Sequence, residues 1–397
     1  MLKNLYNLYI KNIKRLDDLY IINNEFHRII DESIISTYLN KQTELFIKEN
    51  ELKYSNNTEL IFKNINYYLD IFKKNNINVK QRTIAPIIKI YCYLNDISNI
   101  EKLWFKIENE KIDILESDYL NLVKFCIIKN KKKLLVLILN FMMKNILNVS
   151  DLFIKGLNIF LKKIEVNENG VTDSEIKLER IEIDNKIHKN FCKFLEKLIE
   201  NNNIKISKYF KNFLIKNNEI NVVIDGANVG FYQKNNKINF KYIDQVNNKL
   251  IELGFKPLIF LHKRHFKNLN VIETNIFKSW EKKNQLFRTP YKIDDDIYWL
   301  YGTLYLSLLN NNSCLFVTKD KIKDHYYEIF KSNLDNEYKI SNFKRWYVDN
   351  NIDYNIFKNV VEIIKPSNFS KCIQKFNIKN KIYYCFPNDK SWYYLTI

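Results

Sequence analysis

Five aspartates in three separated stretches carry the strongest chemical signal in this chain: Asp225, the triplet Asp294, Asp295 and Asp296, and Asp320. Asp225 closes the apolar run Asn-Val-Val-Ile-Asp, Asp320 closes Cys-Leu-Phe-Val-Thr-Lys-Asp, and the triplet stands at the head of the amphipathic run Ile297–Leu309. Carboxylates gathered in one place raise one another's pKa unless a positive charge sits among them. A divalent cation is the natural counter-charge. An all-oxygen donor set suits Mg²⁺, or Mn²⁺ in its place, whereas Zn²⁺ favours His and Cys. Such a site polarises a phosphodiester and lowers the pKa of water, which is the chemistry of metal-assisted hydrolysis. Each stretch also has a plain reading. Acids are favoured in the first turn of a helix, Asp225-Gly226 can be a simple turn, and Asp320 can cap a following helix. The functional reading rests on the three stretches taken together.

The elements that would position these acids are legible around them. Short β-branched runs at Val222–Asp225, Pro257–Lys263, Cys314–Asp320 and Asn359–Ile364 alternate with helical candidates at Tyr242–Leu253 and Ile297–Leu309. Buried strands alternating with helices predict a mainly parallel sheet between two helical layers, with functional groups at the carboxyl ends of the strands.

The first half of the chain reads differently. Tyr68–Val79 aligns with Leu103–Ile114, and Arg82–Cys92 with Ser117–Ile127, both at an offset of 35 residues. A period of that length built from two helices predicts a helical-hairpin solenoid, each unit burying its apolar face by stacking on its neighbours. The polar, glycine-containing stretch Val166–Leu178 marks a break, and helices are expected at Lys186–Glu200 and Ser207–Lys216. With 63 Lys and Arg against 45 Asp and Glu, the chain carries +18, which suits a polyanionic partner such as nucleic acid but also follows from an Asn-, Lys- and Ile-rich composition. The six cysteines form no CxxC pair, as expected of free thiols in a reducing setting, and no apolar run is long enough for a membrane span. The first sixteen residues are basic and amphipathic, which suits an organelle presequence and equally a first helix of the solenoid.

Five stretches together resemble the protein-only RNase P enzymes. Val222–Tyr232 is similar to that family's first nuclease motif, Asp294–Gly302 to its N-D-D-W-Y-W-L-Y-A motif, and Val317–His325 to V-T-N-D-E-M-R-D-H. Phe343–Asn350 and Pro366–Gln374 resemble the segments that follow, and the order holds over roughly Tyr68–Trp392. The resemblance implies a pentatricopeptide-like α-helical solenoid that contacts RNA, at residues 1–160, followed by an α/β three-layer PIN-like (NYN) metallonuclease domain at 218–366. A central module, 161–217 with 367–397, would connect them. It implies a magnesium-dependent endoribonuclease that removes the 5′ leader from precursor tRNA without an RNA subunit. The basic first residues favour an intracellular location in a mitochondrion or other organelle over the nucleus, which stays open. The family's metal-binding and catalytic aspartates fall on Asp225, Asp295, Asp296 and Asp320, with Asn228 and His325 in supporting places. Asp294 replaces the family's Asn, Ile297 its Trp, Lys319 its Asn and Lys323 its Arg. The family's three-Cys, one-His zinc site is expected to be lost: its C-x-x-C-G stretch falls on Val166–Gly170 and its W-H-x-P on Tyr384–Pro387. Two rival readings are an RNA-binding protein with an inactive nuclease fold and a nuclease of this fold acting on other RNAs.

Overall fold

The computed structural model describes the chain except for residues 1, 21–30, 52–57, 203, 234–236, 292–293, 311–312, 323–336, 359 and 390. It forms two compact units, Met1–Glu165 with Cys372–Ile397, and Val166–Lys371.

The first unit is built from helices α1 (Leu2–Asn12), α2 (Glu32–Glu51), α3 (Thr58–Lys74), α4 (Gln81–Tyr93), α5 (Ile97–Asn109), α6 (Glu116–Ile128), α7 (Lys132–Asn145) and α8 (Asp151–Gly156), followed by strand β1 (Lys162–Ile164). The 35-residue offset is a true structural period. Ile84, Ile87, Ile88 and Tyr91 of α4 are buried, as are their counterparts Tyr119, Leu122, Val123 and Cys126 in α6. Likewise Ile100, Leu103, Trp104 and Ile107 of α5 correspond to the buried Leu135, Ile138, Leu139 and Met142 of α7. Even the turns repeat. Asn76 and Lys111 take left-handed φ values of 52° and 50°, as do Asn95 and Asn130 at 58° and 52°. Each such residue lets the next amide reach back to the helix end, Ile77 N–H to Phe72 O and Ile112 N–H to Ile107 O both at 2.9 Å. The closing bond satisfies carbonyls that a helix end otherwise leaves open. Glycine usually takes this position, and in a chain with six glycines asparagine, which tolerates the left-handed region, takes most of them.

The second unit begins with the hairpin-like turn 166–178, then helices α9 (Asn185–Asn202) and α10 (Ile204–Lys216). A six-stranded sheet follows, its strands β2 (Val222–Asp225), β3 (Pro257–His262), β4 (Leu286–Thr289), β5 (Leu315–Val317), β6 (Asn351–Phe357) and β7 (Val360–Ile364) alternating with α11 (Gly226–Gly230), α12 (Phe240–Glu252), α13 (Val271–Lys282), α14 (Asp295–Asn310) and α15 (Glu337–Asn350). The spatial order is β4-β3-β2-β5-β6-β7, parallel throughout except for β7 against β6. Side chains alternate as the pleat requires. Val223, Leu258 and Phe260 face a core shared with α9, α10 and α14, whereas Val222, Ile224, Ile259 and Leu261 face one shared with α12 and α13. Both sheet faces are therefore dry, which explains the unbroken apolar character of β2 and β3. From β2 the chain builds outward in one direction to β3 and β4, then returns to the other side of β2 for β5. The carboxyl ends of β2 and β5 thus flank a topological switch point, where open α/β sheets place their ligands.

The last three strands, β8 (Gln374–Ile378), β9 (Lys381–Pro387) and β10 (Trp392–Thr396), rejoin the first unit and form an antiparallel sheet in the order β1-β10-β9-β8. The β8–β9 turn places Lys379 and Asn380 at φ 48° and 63°, the paired left-handed geometry of a two-residue hairpin.

Candidate active site

Asp225 is the last residue of β2, and α11 starts at the next residue, so its carboxylate lies at the switch point and caps that short helix. Its Oδ1 accepts the Asn228 N–H at 3.0 Å and its Oδ2 accepts the Thr318 hydroxyl at 2.8 Å, with 4% of the residue exposed. Thr318 follows β5 and is fully buried, and its Oγ1 also accepts the Asp320 N–H at 3.1 Å. One hydroxyl therefore ties the acid on β2 to the loop carrying the acid after β5. Asn228 makes a second tie, its Oδ1 accepting the Lys319 N–H at 2.8 Å and the Tyr354 hydroxyl at 3.2 Å. The Lys319 ammonium sits 5.3 Å and 5.2 Å from the ring centres of Tyr232 and Tyr354 and pairs with Asp353 at 3.4 Å.

The second group of acids enters from α14. The helix starts at Asp295, so Asp295 and Asp296 lie within its first turn, where the helix dipole favours negative charge. The apolar body of α14, Tyr298 to Leu306, is sunk in the core beneath β2 and β3, and this fixes where its first turn emerges. Asp296 Oδ1 accepts the Trp299 indole N–H at 2.9 Å. Asp295 is 5% exposed, and its buried Oδ2 has no hydrogen-bond partner among the described residues.

These placements carry an electrostatic cost. Burial foremost, then the charges of Asp296 and Asp295, hold the Asp225 carboxyl well above the usual range. Burial, a hydrogen bond with Asp294 and the charge of Asp296 push Asp295 up to about 7. Asp225, Asp295 and Asp296, from two stretches some 70 residues apart in sequence, thus share one low-dielectric neighbourhood. Asp294 is exposed at the rim. Asp320 is exposed too, its Oδ1 accepting the Ile322 N–H at 2.9 Å and its carbonyl accepting the Tyr347 hydroxyl. Its backbone is therefore anchored beside Asp225 while its carboxylate is engaged by its own loop. The Val317–His325 motif is described as far as Ile322; His325 and Lys323 lie outside the described residues.

Among the described residues no three His, Cys, Asp or Glu side chains stand ready as a closed ligand set. The donor chemistry nonetheless fits a hard cation. Burial and neighbouring acids hold two carboxyls above the usual range, one carboxylate oxygen has no partner among the described residues, and every candidate donor is oxygen.

A family model described as Protein-only RNase P matches residues 166–385. The chain belongs to the protein-only RNase P family. Proteinaceous RNase P 2 of Arabidopsis thaliana is 32% identical over 174 residues, 42% of this chain and 30% of that protein. Proteinaceous RNase P 3 of the same plant is 28% identical over 220 residues, 53% of this chain and 34% of that protein, so the aligned parts span about a third of the curated relatives. In fold, the crystal structure of nuclear proteinaceous RNase P 2 from A. thaliana superposes with a TM-score of 0.70 at 19% identity, covering 100% of this chain and 90% of that one. The helical solenoid followed by an α/β nuclease-type sheet is thus the fold of this family.

The family's zinc site does not fit the residues of this chain. The turn that would carry the paired cysteines, Val166–Gly170, is held by a side chain: Asn167 Oδ1 accepts the N–H groups of Asn169 and Val171 at 3.0 Å and 2.9 Å. Cys385, at the place of the family's His, is fully buried in β9, and burial raises its thiol to about 12. A valine and an amide at the paired-cysteine places, Val166 and Asn169, and a protonated thiol at the histidine place make no tetrahedral Cys/His set. Elemental analysis of the purified protein is expected to find well under one zinc per chain, and one tightly held zinc would overturn this.

Sequence reasoning missed Thr318 and Tyr354. Thr318 reads as an ordinary strand residue, and its position two residues before Asp320 is the one signal it carries. Its hydroxyl is expected to act as a positioning group. Thr318→Val should lower kcat roughly 10- to 100-fold with KM within about twofold, the usual cost of losing a partner that orients a ligating carboxylate. An unchanged kcat in steady-state assays would remove Thr318 from this role.

Proposed function

We propose that this protein is a magnesium-dependent endoribonuclease that removes the 5′ leader of precursor tRNA, acting without an RNA subunit. The observation that carries the reading is the convergence of the buried Asp225 and Asp295 with the half-buried Asp296 at the switch point of a parallel sheet. Family membership supplies the reaction class.

Asp225, Asp295, Asp296 and Asp320 would hold the cation, with manganese able to replace magnesium. When bound, it supplies Lewis-acid charge for the phosphodiester and for water. The chain's own residues do the rest. The Asn228 N–H and the Thr318 hydroxyl, one on each oxygen, fix the Asp225 carboxylate in rotation, and the Trp299 indole does the same for one Asp296 oxygen. Such fixed donors and acceptors need little reorganisation as charge develops. Tyr347 and Thr318 hold the Asp320 backbone just past the end of the neighbouring strand β5. Hydrolysis leaves a 5′-phosphate on the tRNA and a 3′-hydroxyl on the leader.

The domain roles follow the same reading: residues 1–160 bind RNA, 218–366 cleave it, and 161–217 with 367–397 connect the two. Folded tRNA is gripped by shape, stacking and phosphate contacts. Relatives of this chain include a nuclear and a chloroplastic/mitochondrial enzyme, and the basic, amphipathic first residues that suited a presequence form α1, with Ile10 buried in the helical core. Among the described residues no helix is long and apolar enough to cross a membrane.

The test is direct. The purified protein, incubated alone with a precursor tRNA and magnesium, should produce a single cut at the mature 5′ end, and EDTA should abolish it. Scattered cuts in unrelated transcripts would instead indicate a nuclease of broader substrate, and no cleavage of any RNA would indicate an inactive fold.

A further inference from the structure

Next to the acids, at the carboxyl ends of β3 and β4, lies a second cluster that hydrolysis leaves unused. β3 pairs with β2 in the register Asp225 to Phe260, so His262 follows two residues on along the neighbouring strand, at the same edge of the sheet. From there the chain enters a tight 3₁₀ turn, Lys263–Phe266, while β4 ends at Thr289 and leads through Pro290 to Tyr291.

The two segments are locked together by rings. The buried His262 accepts the Arg264 N–H on Nδ1 at 3.0 Å and meets Tyr291 edge to face at 5.3 Å. His265 accepts the Arg264 Nε–H at 3.1 Å and packs against Phe231, the residue that closes α11. The carboxylate of Asp294 acts on His262, which links this cluster electrostatically to the acids. On this scaffold stand three exposed cations, Lys263, Arg264 and Lys267, with no carboxylate paired to them among the described residues. Two cations nearby in sequence or along the sheet are paired, Lys319 with Asp353 and Arg288 with Glu281. Lys267 Nζ lies 5.7 Å from the ring centre of Tyr291, and 52% of that tyrosine is exposed.

A basic turn is ordinary by itself in a chain of charge +18. An exposed aromatic ring held by a buried imidazole, with Lys267 over its face and two more unpaired cations on the adjoining turn, sited beside the acids, is a narrower arrangement. Cations along a backbone path with an aromatic ring for a base form the usual platform for single-stranded nucleic acid, tolerant of sequence because every base has a π-face.

We propose that Tyr291, with Lys263, Arg264 and Lys267, forms a subsite for the unpaired nucleotide adjoining the scissile phosphate, its base stacked on Tyr291 and its phosphate met by the three cations. The inference rests on the precursor-tRNA reading above. A base held in an acceptor-stem duplex cannot splay onto a ring. The occupant is therefore the last leader nucleotide, on the 5′ side of the cut.

The experiment compares dissociation constants of full-length protein for a precursor tRNA with a short leader and for the matching mature tRNA, in the Asp296→Asn background so that substrate survives. Tyr291→Ala should weaken precursor binding about tenfold, and adding Arg264→Ala and Lys267→Ala should weaken it further. Mature tRNA should bind as before, and Tyr291→Phe should keep most of the leader's contribution. All three positions are exposed, so melting temperatures should stay within about a degree of the parent. An unchanged precursor-to-mature ratio, or equal loss for both RNAs, would overturn the subsite. If the wild-type protein cleaves no precursor tRNA, the function reading fails by itself. Fluorescence anisotropy with hexauridylate then decides the subsite separately: weaker binding in Tyr291→Ala sustains it, and unchanged binding refutes it.

Discussion

Asp296→Asn is expected to lower cleavage of precursor tRNA by about 10³-fold while leaving the fold intact. The charge-stabilising contribution of a catalytic cation is several kcal/mol, and each 1.36 kcal/mol is tenfold in rate, so losing a ligand that holds it costs about three orders of magnitude. The amide oxygen of asparagine can still accept the Trp299 indole N–H, so the first turn of α14 should stay in place. Thermal melts separate chemistry from folding. In the wild-type protein magnesium or manganese should raise the melting temperature by mass action, and this shift should shrink in Asp296→Asn. Asp295→Asn adds a sign test. The Asp295 carboxyl is raised to about 7, so between its unfolded value and that pH the folded chain binds more protons than the unfolded one, and stability falls as pH rises across that window. Without metal at pH 7.5 or above, the neutral amide of the Asp295→Asn variant should therefore make the protein more stable by roughly 1 to 3 kcal/mol, a gain of a few degrees that disappears near pH 4. A less stable Asp295→Asn in EDTA, or wild-type activity in Asp296→Asn, would refute the shared-cation picture.

The acids stood out as candidates only because three stretches coincide, each having a plain structural reading alone, whereas β2 and β3 were legible because they are buried on both faces and read as unbroken apolar runs. Other elements lacked such marks. β4 is four residues long, and β6 follows α15 without a break, Asn350 ending the helix and Asn351 opening the strand. The C-terminal hairpin turns at Lys379-Asn380, neither of them the glycine that usually announces that geometry. The solenoid was visible because stacking imposes the same apolar positions on each unit. Its left-handed turn residues were not, since asparagine is too common here to stand out. Two expectations shifted in position: the strand before Asp320 ends at Val317, and Asp295 and Asp296 belong to α14 rather than preceding it. The orienting groups Thr318 and Tyr354 were hidden for a general reason. Their role comes from contacts across 93 and 126 residues of sequence, which no local pattern encodes.

Gly226→Ala tests whether the backbone next to Asp225 is as constrained as the chemistry requires. Gly226 opens α11 where β2 lies flush against β3, and a Cβ there would stand 2.6 Å from the Phe260 carbonyl oxygen and 3.1 Å from Ile259 Cγ2. A side chain can turn aside, but Phe260 O is part of β3, so the strands must part. Overpacking of this kind costs about 3 kcal/mol, which for a domain of this size lowers the melting temperature by roughly 10 °C. The parting begins at Asp225, which pairs with Phe260, so it also tilts the carboxylate away from its two donors. Cleavage should then fall about 100-fold and recover in part at high magnesium, because a misplaced ligand weakens metal binding rather than removing it. Gly254→Ala provides the contrast. Gly254 has φ +84° and nothing within 4 Å of an added Cβ, so alanine there costs about 1 kcal/mol of backbone strain and leaves cleavage untouched. Equal activity in the two variants would mean that the β2–β3 contact does not set the position of Asp225.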